Sequence, residues 1–283
     1  MKYLVLVNPS SHGGRALKIW REYASQLDDC KSVVLEDIRQ AQTLAAEAAG
    51  CDAVVACGGD GTINAVGDGI LRNPDPNLKF GVLYAGTSPD FCRFHGIPSG
   101  GPEAVEVLKR GFVRNIPVLR ANGHAFFCSC NLGMGAAVAR DANAWRPVLG
   151  DGFGTFCAAV RNILKFKPQS YILNGEKRTG CSHLLVTRMP FIAGGLRLAL
   201  PKLRDDEYAV WVLRHVRGRD WPGLLRKLYR GGSCGEFLIL RGPLRIDGPG
   251  DFEFDGDPHG ALPLEISFYG RTLPLITKEI PDA

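Results

Sequence analysis

Residues 52–64 read Asp-Ala-Val-Val-Ala-Cys-Gly-Gly-Asp-Gly-Thr-Ile-Asn, an apolar run that passes through glycines straight into a helical pattern. Glycines let a chain turn sharply and bring its N–H groups close to a ligand. The start of the helix that follows offers orphan N–H groups and the positive end of the helix dipole, so the natural guest is an anion such as phosphate. Thr62 can cap that helix or give its hydroxyl to phosphate. Asp60 carries negative charge to the same place, and Mg²⁺ or a hydrogen bond must offset it. A plain strand-to-helix turn would also use glycine, but Gly-Gly-Asp-Gly-Thr asks for more than a turn needs. It is neither the P-loop nor the Gly-x-Gly-x-x-Gly pattern.

A second chemical segment lies near the end, at Phe252-Glu253-Phe254-Asp255-Gly256-Asp257-Pro258. Strand alternation puts Asp255 and Asp257 on one face unless Gly256 turns the chain between them. Phosphoryl transfer to an alcohol needs a positioned carboxylate to take the hydroxyl proton. A simple Asp-Gly hairpin turn explains the same residues.

These segments need elements to hold them. Residues 2–7, 32–35, 52–56 and 80–84 read as strands, alternating with helical spacing at 15–26, 41–49 and 62–71. Such alternation predicts an α/β domain over residues 1–116, a parallel sheet with helices on both faces. Beyond it, short β-type runs punctuated by glycine and proline fall at 118–120, 125–131, 183–188, 208–213, 237–241, 244–247, 251–254 and 263–268. They predict a mainly antiparallel β-sandwich domain over residues 117–283. One helical excursion is expected at 142–165 and another at 221–229. The last strand is free to return to the first domain.

The 283 residues are 45% apolar and 22% charged, a normal globular composition that excludes a disordered chain. No stretch approaches the roughly 20 apolar residues of a membrane-spanning helix. The opening Met1–Val7 run lacks a cleavage site and reads as a first strand. Nine cysteines without a Cys-x-x-Cys pair argue against a zinc ribbon and for free thiols in a reducing compartment. A net charge of +5 suits anionic nucleotides or membranes and is too weak to argue for nucleic acid. Residues 211–230 mix Trp211, Trp221, Leu224, Leu225 and Tyr229 with six Arg and Lys side chains, which a membrane surface or an ordinary amphipathic helix would both explain.

Gly58-Gly59-Asp60-Gly61-Thr62-Ile63-Asn64 resembles the nucleotide-binding signature of the diacylglycerol kinase catalytic family, which NAD kinases and phosphofructokinases share more loosely. Asn8-Pro9-Ser10-Ser11-His12-Gly13-Gly14 resembles the opening loop of that family, with His12 where glycine is usual. Gly86-Thr87-Ser88-Pro89-Asp90-Phe91-Cys92-Arg93 resembles a third family segment, with Pro89 in place of asparagine. Asp255-Gly256-Asp257 resembles its Asp-Gly-Glu motif, with Asp257 where glutamate serves as proton acceptor. The stretch 194–208 resembles a segment that holds a structural Mg²⁺, and Asn131 with Gly135 fits the family's Asn-x-x-x-Gly pattern.

The resemblance implies an ATP-dependent lipid kinase acting on a lipid alcohol, diacylglycerol-like or sphingoid- or ceramide-like. It implies an ATP-binding domain at 1–116 and a lipid-substrate domain at 117–283. Nucleotide contacts are expected from Asn8, Pro9, Ser10, Ser11, His12, Gly58, Gly59, Asp60, Gly61, Thr62, Ile63, Asn64, Thr87 and Asp90. Asp257 and Asp255 become the catalytic carboxylates. The structural Mg²⁺ is assigned to the Asp206 carboxylate and the carbonyls of Leu203 and Tyr208, with Glu207 replacing the usual glycine. A cytoplasmic protein that touches the membrane reversibly is expected, with a homodimer left open. The alternatives are an NAD kinase-like enzyme and a non-catalytic member of the fold that binds lipid or nucleotide.

Overall fold

The computed structural model describes residues 1–279, and the chain divides into two compact units. The first unit holds Met1–Val118 and the chain from Tyr269 onward, and the second holds Leu119–Phe268. The division thus falls two residues past the expected 116/117 boundary, and the end of the chain belongs to the first unit.

In the first unit, β1 (Tyr3–Val7), α1 (Arg15–Tyr23), β2 (Cys30–Val34), α2 (Arg39–Ala46), β3 (Ala53–Gly58), α3 (Asp60–Arg72) and β4 (Lys79–Tyr84) alternate as the periodicity predicts. Then come α4 (Asp90–His95), α5 (Pro102–Arg110) and β5 (Val113–Ala121). The strands run parallel in the order β4-β3-β1-β2, and the returning chain adds Leu275 beside Phe80 of β4. Every residue of β3 is buried, as befits a central strand covered on both faces. Tyr3, Val5, Val7, Val55 and Cys57 share one core with Ala16, Ile19 and Trp20 of α1 and Val105 and Leu108 of α5. On α3, a Cβ at Gly69 would lie 2.4 Å from the Gln42 carbonyl, so glycine lets α3 press against α2.

The second unit holds β6 (His124–Phe126), β7 (Ser129–Gly133), α6 (Met134–Leu149), α7 (Asp151–Lys165), β8 (Gln169–Leu173) and β9 (Glu176–Thr187). It continues with β10 (Phe191–Ile192), β11 (Leu196–Arg197), β12 (Tyr208–Arg214), α8 (Trp221–Tyr229) and β13 (Glu236–Leu240). The last four strands are β14 (Leu244–Asp247), β15 (Asp251–Phe254), β16 (Asp257–Ala261) and β17 (Leu264–Ile276). Its pairings are antiparallel, with β9 pairing with β12, β7 and β8. Alternate residues of these strands, among them Leu132, Leu184, Val186, Val210, Ile246, Phe252 and Ile266, close one strand-lined core. The opposite faces of β9 and β12 present Leu185, Trp211 and Leu213 to Met134, Trp221 and Leu228.

One expectation is corrected here, and one choice between readings is settled. The single helix at 142–165 is two, because α6 starts at Met134 and Gly150, at a φ of 73°, caps α7 with a conformation that favours glycine. The segment 211–230 follows the ordinary amphipathic reading: Trp211, Trp221 and the aliphatic Leu228 are buried, which leaves Tyr229 as the exposed aromatic of that segment.

Candidate active site

The candidate site of the first unit is assembled at the carboxyl ends of parallel strands, where open α/β sheets receive ligands. Beyond β1 the chain turns through His12, Gly13 and Gly14 with φ values of 45°, 65° and 92°. Asn8, buried at the end of that strand, donates from Nδ2 to Thr62 Oγ1 at 3.0 Å. Its Oδ1 accepts from Ser10 N and Ser10 Oγ at 3.2 and 2.8 Å. Ser11 Oγ accepts the Gly59 N–H at 3.3 Å. The opening turn and the glycine loop are thereby joined side chain to side chain and side chain to backbone.

Glycine is required in this loop by space. A Cβ on Gly58 would lie 2.3 Å from Thr62 Oγ1, and one on Gly86 would lie 2.8 Å from Gly59 Cα and 2.5 Å from the Tyr84 hydroxyl. That hydroxyl donates to Asp60 Oδ2 at 3.1 Å. Burial and the Asp60 carboxylate push the Tyr84 phenol far above its ordinary range, so it stays a neutral donor. Asp60 opens α3, whose cap at Gly59 carries no side-chain hydrogen bond, and a carboxylate in that first turn is favourable for the dipole.

The structure therefore joins Asn8, Ser10, Ser11, Gly58, Gly59, Asp60 and Thr62, and adds Tyr84 and Gly86. Thr62 braces the loop from inside, and Ile63 is core. His12 and Thr87 are exposed, while Asp90 is buried and pairs with Arg93 at 3.0 Å. Tyr84 was missed because it closes an apolar strand and reads as core. Its phenol beside a Gly-Thr pair was the available signal.

The candidate carboxylates of the second unit lie on a hairpin. Asp255 and Gly256, with φ values of 53° and 93°, turn β15 into β16, so the hairpin reading of Asp-Gly holds. The two aspartates consequently part. Asp255 accepts the N–H groups of Phe127, Cys128 and Ser129 at 2.7, 2.7 and 3.0 Å. Spent on three backbone donors, its carboxylate anchors the turn. Asp257, paired with Phe254 at the start of β16, is exposed.

Beneath this turn lies a polar chain that the sequence reading missed. Glu253, buried on β15, accepts the Gly256 N–H at 2.8 Å and a short bond from Asn131 Nδ2. Asn131 Oδ1 can only accept, so the His183 Nε2–H donates to it at 2.9 Å. Burial pushes Glu253 up to about 8, with the Asp255 and Asp257 charges adding to the rise and the Gly256 and Asn131 hydrogen bonds opposing it. Burial pushes His183 down to about 4. Both groups are therefore mainly neutral at pH 7.

A pH dependence follows, with its sign set by proton counts. Between the ordinary carboxylate range and pH 8 the folded chain keeps a Glu253 proton that the unfolded chain has lost. Stability must fall as pH rises through that window, by up to about 1.4 kcal/mol per pH unit. Below pH 6.5 the depressed His183 acts in the opposite sense, so the slope is cleanest from pH 6.5 to 8. Urea unfolding across that range is expected to show the decline and its levelling above pH 8. Glu253→Gln is expected to abolish it.

Gly135 explains the Asn-x-x-x-Gly spacing. A Cβ there would lie 2.7 Å from the His183 ring and 3.0 Å from Asn131 Cβ, and the ring also packs against Trp211 with centroids 5.5 Å apart. Gly135→Ala is expected to cost about 1–3 kcal/mol through overpacking. Urea denaturation would measure the loss.

The loop before β12 departs from expectation. Arg188 Nη1 donates to the carbonyls of Arg204 and Asp205 at 3.2 and 3.0 Å, and to that of Glu207 in a short bond. Its guanidinium also lies 5.5 Å from the Phe268 ring centroid. Glu207 accepts the Arg204 N–H at 2.9 Å and pairs with Arg241 at 2.8 Å. Asp206 lies 3.7 Å from Arg241. The expected Mg²⁺ set of Leu203, Asp206 and Tyr208 uses other carbonyls of this turn, but Arg188 on the neighbouring carbonyls and Arg241 beside Asp206 would both repel a dication there.

A family model described as the diacylglycerol kinase catalytic domain matches residues 2–121. A probable lipid kinase YegS-like of Shewanella frigidimarina is 30% identical over 221 residues, covering 73% of this chain and 70% of the relative. This chain belongs to the diacylglycerol kinase catalytic-domain family. The family's Bacillus subtilis diacylglycerol kinase is 23% identical, over 81% of this chain and 78% of its own. A crystal structure of a diacylglycerol kinase from Bacillus anthracis superposes with a TM-score of 0.76 at 19% identity, covering 98% and 97% of the two chains. At that identity the likeness concerns the fold, an α/β unit with parallel strands followed by an antiparallel unit.

Proposed function

We propose that this member of a lipid kinase family transfers the γ-phosphate of ATP to the hydroxyl of a lipid alcohol. The joining of Asn8, Ser11, Gly59 and Thr62 carries the reading, because it fixes two turns of backbone at a helix start where phosphate oxygens are favoured. In this mechanism the residues 8–12 and 58–64 cradle the nucleotide, with Thr87 and Asp90 beside them. Mg²⁺ arrives with ATP and spreads the charge of the phosphates. Asp257 takes the proton of the attacking hydroxyl, and Asp255 and Glu253 hold the turn that presents it. The acceptor is diacylglycerol-like or sphingoid-like, met at a membrane surface that the protein touches reversibly.

The test is transfer of label from ATP–Mg²⁺ to a panel of lipid alcohols in mixed micelles. Phosphorylation of one lipid class, lost in Asp60→Asn, is the expected result. ATP binding without transfer to any lipid would sink the reading and leave a non-catalytic member of the fold.

A further inference from the structure

Helix α7 carries more apolar surface than its packing uses. Inward, Ala158 is buried and Ile163 packs on the core, and polar bonds tie the helix to α6: Asn162 Nδ2 donates to Asp141 at 2.8 Å, and Arg161 pairs with the same buried carboxylate. Its outward side carries Phe153, Phe156, Val160 and Leu164 at helical spacing, with Phe153 60%, Phe156 61% and Leu164 72% exposed. Val148, at the end of α6, is 85% exposed. A contiguous exposed apolar stripe of this kind marks an interaction surface.

The charge beside the stripe selects the partner. Arg140, Arg161, Lys165 and Lys167 line a cavity of about 280 Å³, with Asp251 as its single carboxylate. On the other side a Cβ at Gly218 would lie 3.9 Å from Leu164, and Gly218 sits between the exposed Arg217 and Arg219. Aromatic and aliphatic side chains flanked by cations match an anionic bilayer, whose acyl boundary takes the first and whose headgroup phosphates attract the second.

We propose that α7 is the membrane-docking helix of this protein: Phe153, Phe156, Val160 and Leu164 enter the surface of an anionic bilayer while Lys165 and Lys167 meet its phosphates. The proposal deepens the lipid kinase reading and places the membrane contact on α7, whereas the basic segment 211–230 turns most of its aromatic residues into the core.

The experiment is co-flotation of the full chain with phosphatidylcholine vesicles, with and without phosphatidylglycerol. Wild type is expected to favour the anionic vesicles, more so at low salt. Phe153→Asp with Phe156→Asp is expected to weaken binding about ten-fold or more, since each side chain loses its burial. Lys165→Glu with Lys167→Glu should weaken it and flatten the salt dependence. Arg226→Glu with Lys227→Glu, on α8, should leave binding within about two-fold, the loss of exposed charges away from the surface. All substitutions are at exposed positions, and circular dichroism checks that each variant is folded. Wild-type binding by both α7 variants would overturn the proposal. So would a dimer, seen by sedimentation, that dissociates in the phenylalanine variant while vesicle binding persists. Vesicle binding that depends on α7 in a protein that phosphorylates no lipid would uphold the docking surface and remove the kinase reading alone.

Discussion

Asp257→Asn is expected to lower kcat by about 10²–10⁴, the range for loss of a positioned acid–base group, with ATP affinity nearly unchanged. The neighbouring carboxylates cannot replace it. Asp255 is held by three backbone N–H groups, and Glu253 is buried under the turn with both oxygens engaged. Steady-state kinetics with micellar diacylglycerol would read the loss as a fall in kcat at constant KM for ATP. Asp257→Glu restores the family's usual side chain, one methylene or about 1.5 Å longer, and is expected to keep activity within about ten-fold of wild type. Asp255→Asn should behave differently. An amide in that cradle turns donors toward donors, so the expected loss is stability, of about 1–3 kcal/mol. Wild-type kcat in Asp257→Asn would remove this residue from the chemistry.

Arg188→Ala is expected to be strongly destabilising to the second unit. It leaves the carbonyls of Arg204, Asp205 and Glu207 without their shared donor and Asp205 without its 4.0 Å ion pair. Hydrogen bonds to a charged donor contribute about 1.5–3 kcal/mol each, and because the three acceptors share one nitrogen the combined loss is set at about 3–4 kcal/mol. For a unit of this size that lowers Tm by roughly 6–16 °C. Calorimetry of the wild type is expected to give the same Tm with Mg²⁺ and with EDTA, because the cation of this loop is covalently attached. A clear EDTA-dependent fall in the Tm of the wild type would restore the divalent ion to Leu203, Asp206 and Tyr208. Burial lowers the Arg188 pKa while Asp205, Asp206 and Glu207 raise it, the environment of a cation enclosed among partial and full negative charges.

Local pattern carried the first unit far. The apolar run of β3, the glycines after it and the helical spacing of α3 are contiguous, so the strand–glycine–helix loop was legible as a whole. α5 was not anticipated, although Pro102 at its start and Gly111 at its end, with a φ of 63°, are ordinary helix punctuation. The second unit hid more because its decisive contacts join distant residues. Alternation along β15 places Phe252 and Phe254 in the core and Glu253 on the other face, which reads as solvent. That carboxylate is buried and bonded to Asn131, 122 positions away. Arg188 left even less trace, since its partners are backbone carbonyls and any residue type supplies those. The 153–164 stripe was hidden by its own periodicity, which is that of a core helix. Only exposure shows that its apolar side points outward.

The path of β17 sets the order in which this protein can be completed during synthesis. The strand begins at Leu264, pairs with β14 through Leu264 and Ile266, and ends at Ile276 in the first unit, with Leu275 beside β4. Until the ribosome has released that segment, β4 keeps one edge of hydrogen-bonding groups open. The first unit is therefore started first and finished last, and a nascent chain shorter than about residue 276 carries an unsealed sheet edge through the synthesis of the entire second unit.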